Sequence, residues 1–204
     1  MIRFGVSGGE RRAVNGGYRD IKLDAGNTSV SFAVRWLGAL TVRGRFGVLR
    51  GALRIPDGCV ERATLWMEVM AASVHTGISL RDHHLRGPQF LDAARFPVIA
   101  FRSTSVERPD GVLIVNGVLT LRGLEREVSA ICPADLPGNG ALHPLVRLRG
   151  GFRVPRRPHS IGVATGLQKL NPLLYAIGDD VSVSADVLVS ATALFPPALP
   201  VLER

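Results

Sequence analysis

The chain has 204 residues, enough for one large domain or two very small ones, and 46% of them are hydrophobic, ample for a sizeable core. Its formal charge of +8 comes almost wholly from arginine, Lys22 and Lys169 being the only lysines. The densest basic clusters, Arg43/Arg45 and Arg153/Arg156/Arg157, are not interleaved with aromatics as single-strand binders require, so nucleic acid is not an expected partner; weak attraction to anionic membrane surfaces ranks above it.

Cys59 and Cys132 have no CxxC spacing and no His at zinc-ligand intervals, which predicts free thiols and no metal site. Met1 to Asp20 lacks an apolar signal region, and no run reaches the length of a membrane span. The expectation is a cytoplasmic protein without stable membrane insertion. Gly and Pro, 23 and 13 in number, are spread along the chain, as the many turns of an all-β protein need.

Residues 1–18 show no period and read as a flexible leader, with Ile2 to Val6 able to add to a sheet edge. From Ser29 a two-residue alternation sets in: Val30, Phe32, Val34 and Trp36 share one parity against Ser29, Ser31, Ala33 and Arg35. Val42, Gly44 and Phe46 continue it, then Leu49, Gly51, Leu53 and Ile55 up to a turn at Pro56-Asp57-Gly58. Leu65, Met67 and Val69 follow. After an interruption the pattern resumes through Ile99, Phe101 and Ser103, a turn at Pro109-Asp110-Gly111, Leu113 to Leu121, Leu124 to Ala130, and Val146 to Phe152. Residues 154–178 are irregular and read as a long loop with a helical turn near Leu170 to Tyr175. The clearest strand comes last, Val181 to Val189 on alternate positions, before a Pro-rich tail at 193–204.

Eight or nine antiparallel strands with tight turns can bury their apolar faces in a sandwich or in a closed barrel. Consecutive hairpins and strand glycines (Gly44, Gly51, Gly117) favour an eight-stranded, lipocalin-like barrel, whose interior holds side chains or one slender ligand. Residues 19–192 are assigned to that domain.

The interruption, Ser73 to Thr104, predicts a helix of about two turns, with Ser79 and Asp82 spaced as a capping box and Gly87-Pro88 as the stop. Placed in a sheet protein and rich in apolar side chains, it reads as a plug or lid. Asp82-His83-His84 and His75 invite a metal or acid–base reading, but adjacent histidines project to different sides of a helix and cannot share a metal as an i, i+4 pair would. Arg81 and Asp82 are better explained as tying the helix to the barrel rim. No serine sits in a G-x-S-x-G elbow and no glycine-rich loop opens a helix. These residues predict no catalytic site, and leave open whether the inward face is plain core or a cavity.

Ser73-Val74-His75-Thr76-Gly77, Arg81-Asp82-His83-His84-Leu85-Arg86, Phe90-Leu91-Asp92, Phe96-Pro97 and Phe101-Arg102-Ser103 closely resemble the YceI-like family. The likeness extends to Ser29-Val30-x-Phe32, Gly44-x-Phe46, Gly117-x-Leu119-Thr120-x-Arg122-Gly123 and Ile177-Gly178-Asp179-Asp180-Val181, covering about residues 18 to 190. One departure stands at the barrel end, where Arg157-Pro158-His159-Ser160-Ile161-Gly162 replaces the family's Arg-x-acid-Phe-Gly pattern.

The resemblance implies a lipocalin-like barrel that binds a polyisoprenoid, such as a prenyl quinone, or another long amphiphile, with no catalytic residues; beyond such a bound lipid, no metal and no cofactor is expected. Many relatives are exported; no signal is visible here. The parity positions then predict a lining of Phe32, Val34, Trp36, Phe46, Leu53, Leu65, Met67, Phe101, Leu113, Val115, Leu119, Phe152, Val183 and Val187, met at the lid by Leu85, Phe90 and Phe96. The expected partner is a hydrophobic small molecule, with homodimer formation left open. Two alternatives stand beside it: a small enzyme on a lipid-like substrate using Asp82, His83 or His84, and a filled barrel serving as a protein-interaction module.

Overall fold

A computed structural model describes residues 18–56, 59–133, 145–163 and 176–190. The expected tail, nearly all of the leader, the Asp57-Gly58 half of the first turn and the Leu170–Tyr175 cluster lie outside those residues. Eleven strand segments form one antiparallel sheet: β1 Tyr18–Asp24, β2 Thr28–Trp36, β3 Leu40–Phe46, β4 Leu49–Pro56, β5 Thr64–Met70, β6 Val74–His75, β7 Val98–Glu107, β8 Leu113–Leu121, β9 Leu124–Cys132, β10 Leu145–Pro155 and β11 Ile177–Ser190. Among the described residues one α-helix, α1 (Ser79–Arg86), interrupts them.

The segments run in the order β1-β4-β5-β7-β8-β9-β10-β11-β2-β3-β6. Eleven segments and an eight-stranded barrel are reconciled by three broken strands. β3 runs into β4 across Gly47-Val48, β1 and β2 lie against β4 and β3 on one side, and β5 and β6 lie against them on the other. Each couple occupies one position in the wall. Because β11 pairs with β2, the sheet curls back on itself. Between β9 and β10 the ladder registers a single pair, Gly151 opposite Ile131, against eleven between β10 and β11. The strand breaks are local: Asp24 and Asn27 close a turn, with the Asp24 N–H donating to Asn27 Oδ1 at 3.0 Å and the Gly26 N–H to Asp24 Oδ1 at 2.9 Å. Period-2 alternation carries no sign of such breaks, and β1 itself has too short an apolar pattern to stand out.

The two barrel ends differ. At one, Val60, Leu113 and Cys132 are buried together beneath a 3-10 turn at Val60–Arg62, and the adjoining core packs Leu23, Leu53, Ile55, Met67, Val69 and Val189. At the other stand the β2–β3 turn, α1, the β8–β9 turn and residues 156–163 that follow β10. The β8–β9 hairpin closes in two residues, both left-handed, Arg122 (φ 52°) and Gly123 (φ 71°). Such turns favour Asn-Gly; arginine in the first position reaches back over the barrel end. Its guanidinium donates to the carbonyls of Phe90, Ser160 and Pro88 and so fastens the segment after α1.

Candidate functional site

Between the packed end and α1 the barrel encloses a cavity of about 980 Å³. Its walls come from the inward parity of nearly every strand. Sixteen of the seventeen residues expected at the lumen line it, among them Phe32, Phe46, Phe101, Phe152 and Val183, which are half-buried rather than sealed. The filled-barrel alternative required side chains to close this space, and they do not. Tilted and stacked ring pairs stiffen the wall: Phe32 with Phe46 at 5.7 Å and Phe101 with Phe152 at 6.3 Å between centroids, contacts worth about 0.5–1.5 kcal/mol each.

Phe96 is the exception. It lies outside the lining, under the β8–β9 turn, where a Cβ on Gly123 would come within 3.0 Å of its ring, and the Arg95 guanidinium sits 5.1 Å above that ring. Phe90 and Leu85 do face the cavity. Spacing alone could not separate Phe90 from Phe96, because the chain between them turns through Asp92, a left-handed residue (φ 50°).

The lid helix forms as expected but is held differently. Ile78, not Ser79, takes the N-cap position, with no side-chain cap, and Gly87 is extended rather than left-handed (φ −70°). Asp82 instead turns inward and accepts from the backbone N–H (2.8 Å) and the hydroxyl of Thr76, just after β6. The hydroxyl bond, followed by the backbone bond and the charges of His75 and Arg86, holds its carboxyl below the usual carboxylate range against the cost of burial. Arg81 donates to Thr76 Oγ1 and O, and Arg86 to the carbonyls of Ala72 and Val74. These bonds fasten α1 to β6, so the charged residues of the lid act as ties.

This arrangement also bears on the enzyme alternative. The described residues do pair an aspartate with a histidine, His75 Nδ1 lying 3.2 Å from Asp82 Oδ2, yet neither residue lines the cavity. His83 and His84 do line it, 6.2 Å apart between ring centroids, without a carboxylate among the lining residues to orient them. No three His, Cys, Asp or Glu side chains among the described residues converge as metal ligands. What the site offers chemically is a long apolar lumen with a few cationic or neutral polar groups: Arg81, His83, His84, Gln89 and Arg156.

Arg156 is the residue that sequence reasoning missed. It is 3% exposed and donates to four backbone carbonyls: Gly178 from Nε, Ile161 and Gly162 from Nη1, and Ile177 from Nη2, all at 2.8–3.0 Å. Burial pulls its pKa down, partly offset by the nearby Asp179 carboxylate. His159, 1% exposed, lies behind it with Nδ1 3.2 Å from the Leu121 carbonyl. The departure from the family pattern at 157–162 thus holds the buried His159 and follows directly on the buried Arg156, which together pin residues 156–163 at the barrel end. The signal was present: Phe152, Val154 and Arg156 share one parity, so the alternation that turns Phe152 inward turns Arg156 inward too.

Comparison with known proteins gives a consistent picture. A YceI-like domain matches residues 21–189. The UPF0312 protein of Shewanella denitrificans is 35% identical over 146 residues, covering 69% of this chain and 72% of that protein, and one of Vibrio vulnificus is 30% identical over 133 residues, covering 65% and 69%. Among solved structures, Burkholderia cenocepacia BcnA superposes with a TM-score of 0.66 at 18% identity, covering 79% of this chain and 96% of that one. A polyisoprenoid binding domain from Saccharophagus degradans superposes with 0.59 at 15% identity, covering 84% and 98%.

Proposed function

The chain belongs to the YceI-like family, and on that premise we propose that its lumen binds a polyisoprenoid, such as a prenyl quinone, or a similarly long amphiphile, without chemical turnover. The observation that carries this reading is the apolar cavity of about 980 Å³ lying beneath α1. Its volume falls at the upper end of the range for small-molecule sites. Each methylene transferred into such a lumen contributes about 0.8 kcal/mol, so a chain of several prenyl units offsets the cost of ordering it. The polyisoprenoid binding domain among the structural neighbours supports lipid or isoprenoid binding in general. In this reading the tail lies among Phe32, Phe101, Phe152 and Val183, and the polar end stays near His83, His84 and Gln89 at the lid.

Native mass spectrometry of the gently purified protein, with lipid extraction and titration by an added prenyl quinone, tests it. A co-purifying hydrophobic ligand, or saturable quinone binding abolished by Val183→Trp in a folded variant, is the expected result. A protein that carries nothing and binds no quinone overturns the proposal.

A further inference from the structure

The mouth of the lumen carries an unusual surface. Leu37 and Leu40, flanking the β2–β3 turn, are 58% and 54% exposed, and Ile78 and Leu80, at the start of α1, are 52% and 68% exposed. They come from two separate segments that the fold brings to the same end of the barrel. The pairing of Arg45 with His75 carries β6 and the residues after it along β3 toward Leu40, and a shallow groove is lined jointly by Trp36, Leu40, Arg43, Thr76 and Arg81. Ile78 and Leu80 also border the cavity itself.

Local rules do not account for this rim. Leu37 holds a left-handed backbone (φ 53°), a conformation that favours Gly, Asn or Asp, yet the turn spends it on a leucine aimed at solvent. Solvent-facing turns and helix starts ordinarily take polar residues, and apolar side chains gathered at an opening mark an interaction site. The two segments themselves carry charge of one sign, while the adjoining β11 brings Asp179, paired with Arg157, and Asp180 to the same end. Residues 35–43 and 76–81 contain Arg35, Arg43 and Arg81 and no acidic residue. The nearest carboxylate in the chain, Asp82, is turned inward.

We propose that this rim docks the barrel mouth-first on an anionic lipid bilayer, with the four aliphatic side chains entering the headgroup layer and the exposed Arg35 and Arg43 facing lipid phosphates. The like-charged arginines argue against the other simple occupant, a second copy: pairing two mouths would set one basic patch, Arg35 with Arg43, against another. Docking goes beyond ligand binding, and it places the lumen's opening on the phase from which a prenyl chain would enter.

The full chain is sedimented with vesicles of phosphatidylcholine alone and with about one-third phosphatidylglycerol, free of any prenyl ligand, so that failure here and failure of quinone binding are read separately. Expected are binding to the anionic vesicles, weakening as salt shortens the Debye length from about 10 to 3 Å, and a loss of about tenfold or more in partitioning for Leu37→Asp/Leu80→Asp and for Arg35→Glu/Arg43→Glu. Leu145→Asp, on the opposite end, is the folded control and leaves partitioning unchanged. Absence of vesicle binding, or binding indifferent to the rim substitutions, overturns the proposal. So does a solution dimer that Leu37→Asp/Leu80→Asp converts to monomer, which would assign the rim to a second copy.

Discussion

Phe32 lies across the face of its cross-strand partner Gly44, so closely that a Cβ on Gly44 would sit 2.4 Å from the ring's Cζ. The same device recurs where the Phe101 ring covers Gly117, at 2.5 Å from the corresponding position. In both places the missing side chain leaves room for an aromatic ring to lie flat along the wall instead of crossing the lumen. The cavity is therefore shaped partly by what two glycines lack.

The two glycines predict different outcomes on substitution. At Gly44 the obstructing atoms are the far end of the Phe32 ring and Thr76 Cγ2, which can yield. Gly44→Ala folds but pushes the ring inward, displacing roughly two methylenes of ligand contact and lowering prenyl affinity about tenfold. At Gly117 the nearest atom is the Arg102 carbonyl, 2.4 Å away, which belongs to the neighbouring strand's backbone. Gly117→Ala is expected to cost about 1–3 kcal/mol of stability, read by urea denaturation. Equal effects of the two on stability would contradict this account.

Among the described residues Arg156 has no salt-bridge partner, but four carbonyls depend on it. Arg156→Met leaves them buried without a donor, and because each such acceptor costs about 1–3 kcal/mol, a loss of about 3 kcal/mol or more is expected. Arg156→Lys should recover less than half, since an ammonium cannot span the four in a planar fork. A lysine variant as stable as the parent would show that charge alone matters there.

Two buried groups give acid destabilisation in separate windows. His159 has its pKa lowered, chiefly by burial, so the unfolded state binds the proton more readily; its contribution is intact above 6.5, the ordinary value, and is lost as the pH falls below it. Asp82 is also lowered, chiefly by the Thr76 hydroxyl bond, so its contribution is intact above 3.8 and is lost only as the pH falls further. Melting curves across pH should therefore flatten between neutrality and mild acid in His159→Gln, whereas Asp82→Asn should differ from the parent at neutral pH and converge with it below 3.8. Interchanged windows would refute the assignment.

The thiols are predicted to differ in reach. Cys59 is half-exposed, with its Sγ 3.3 Å from Glu61 Oε2, whereas Cys132 is buried at the packed end and burial pushes its pKa up. A charged thiol reagent should titrate one cysteine in the native protein and two after unfolding. Two fast thiols in the native state would mean that the packed end opens.

The alternation of Val30, Phe32, Val34 and Trp36, and of its counterparts down the chain, determined the fold class and which side chains point inward, because period 2 is a property of each strand alone. It also contained Arg156, hidden in the same parity as Phe152. Whether an inward face is solid core or open lumen is not local. It depends on how the curled wall closes: Leu23 and Ile55, fully buried, and Phe101 and Phe152, half-buried, all border one lumen, which no single strand could show. Arg81 and Asp82 were legible as ties of the helix, but only the tertiary structure supplied Thr76 as their partner, separated Phe90 from Phe96, and gathered Leu37, Leu40, Ile78 and Leu80 at one end. Phe96 under Gly123 and Leu40 beside Arg81 join segments distant along the chain, and the Asp82–Thr76 bond depends on how the chain turns between β6 and α1; no periodicity within one element encodes them.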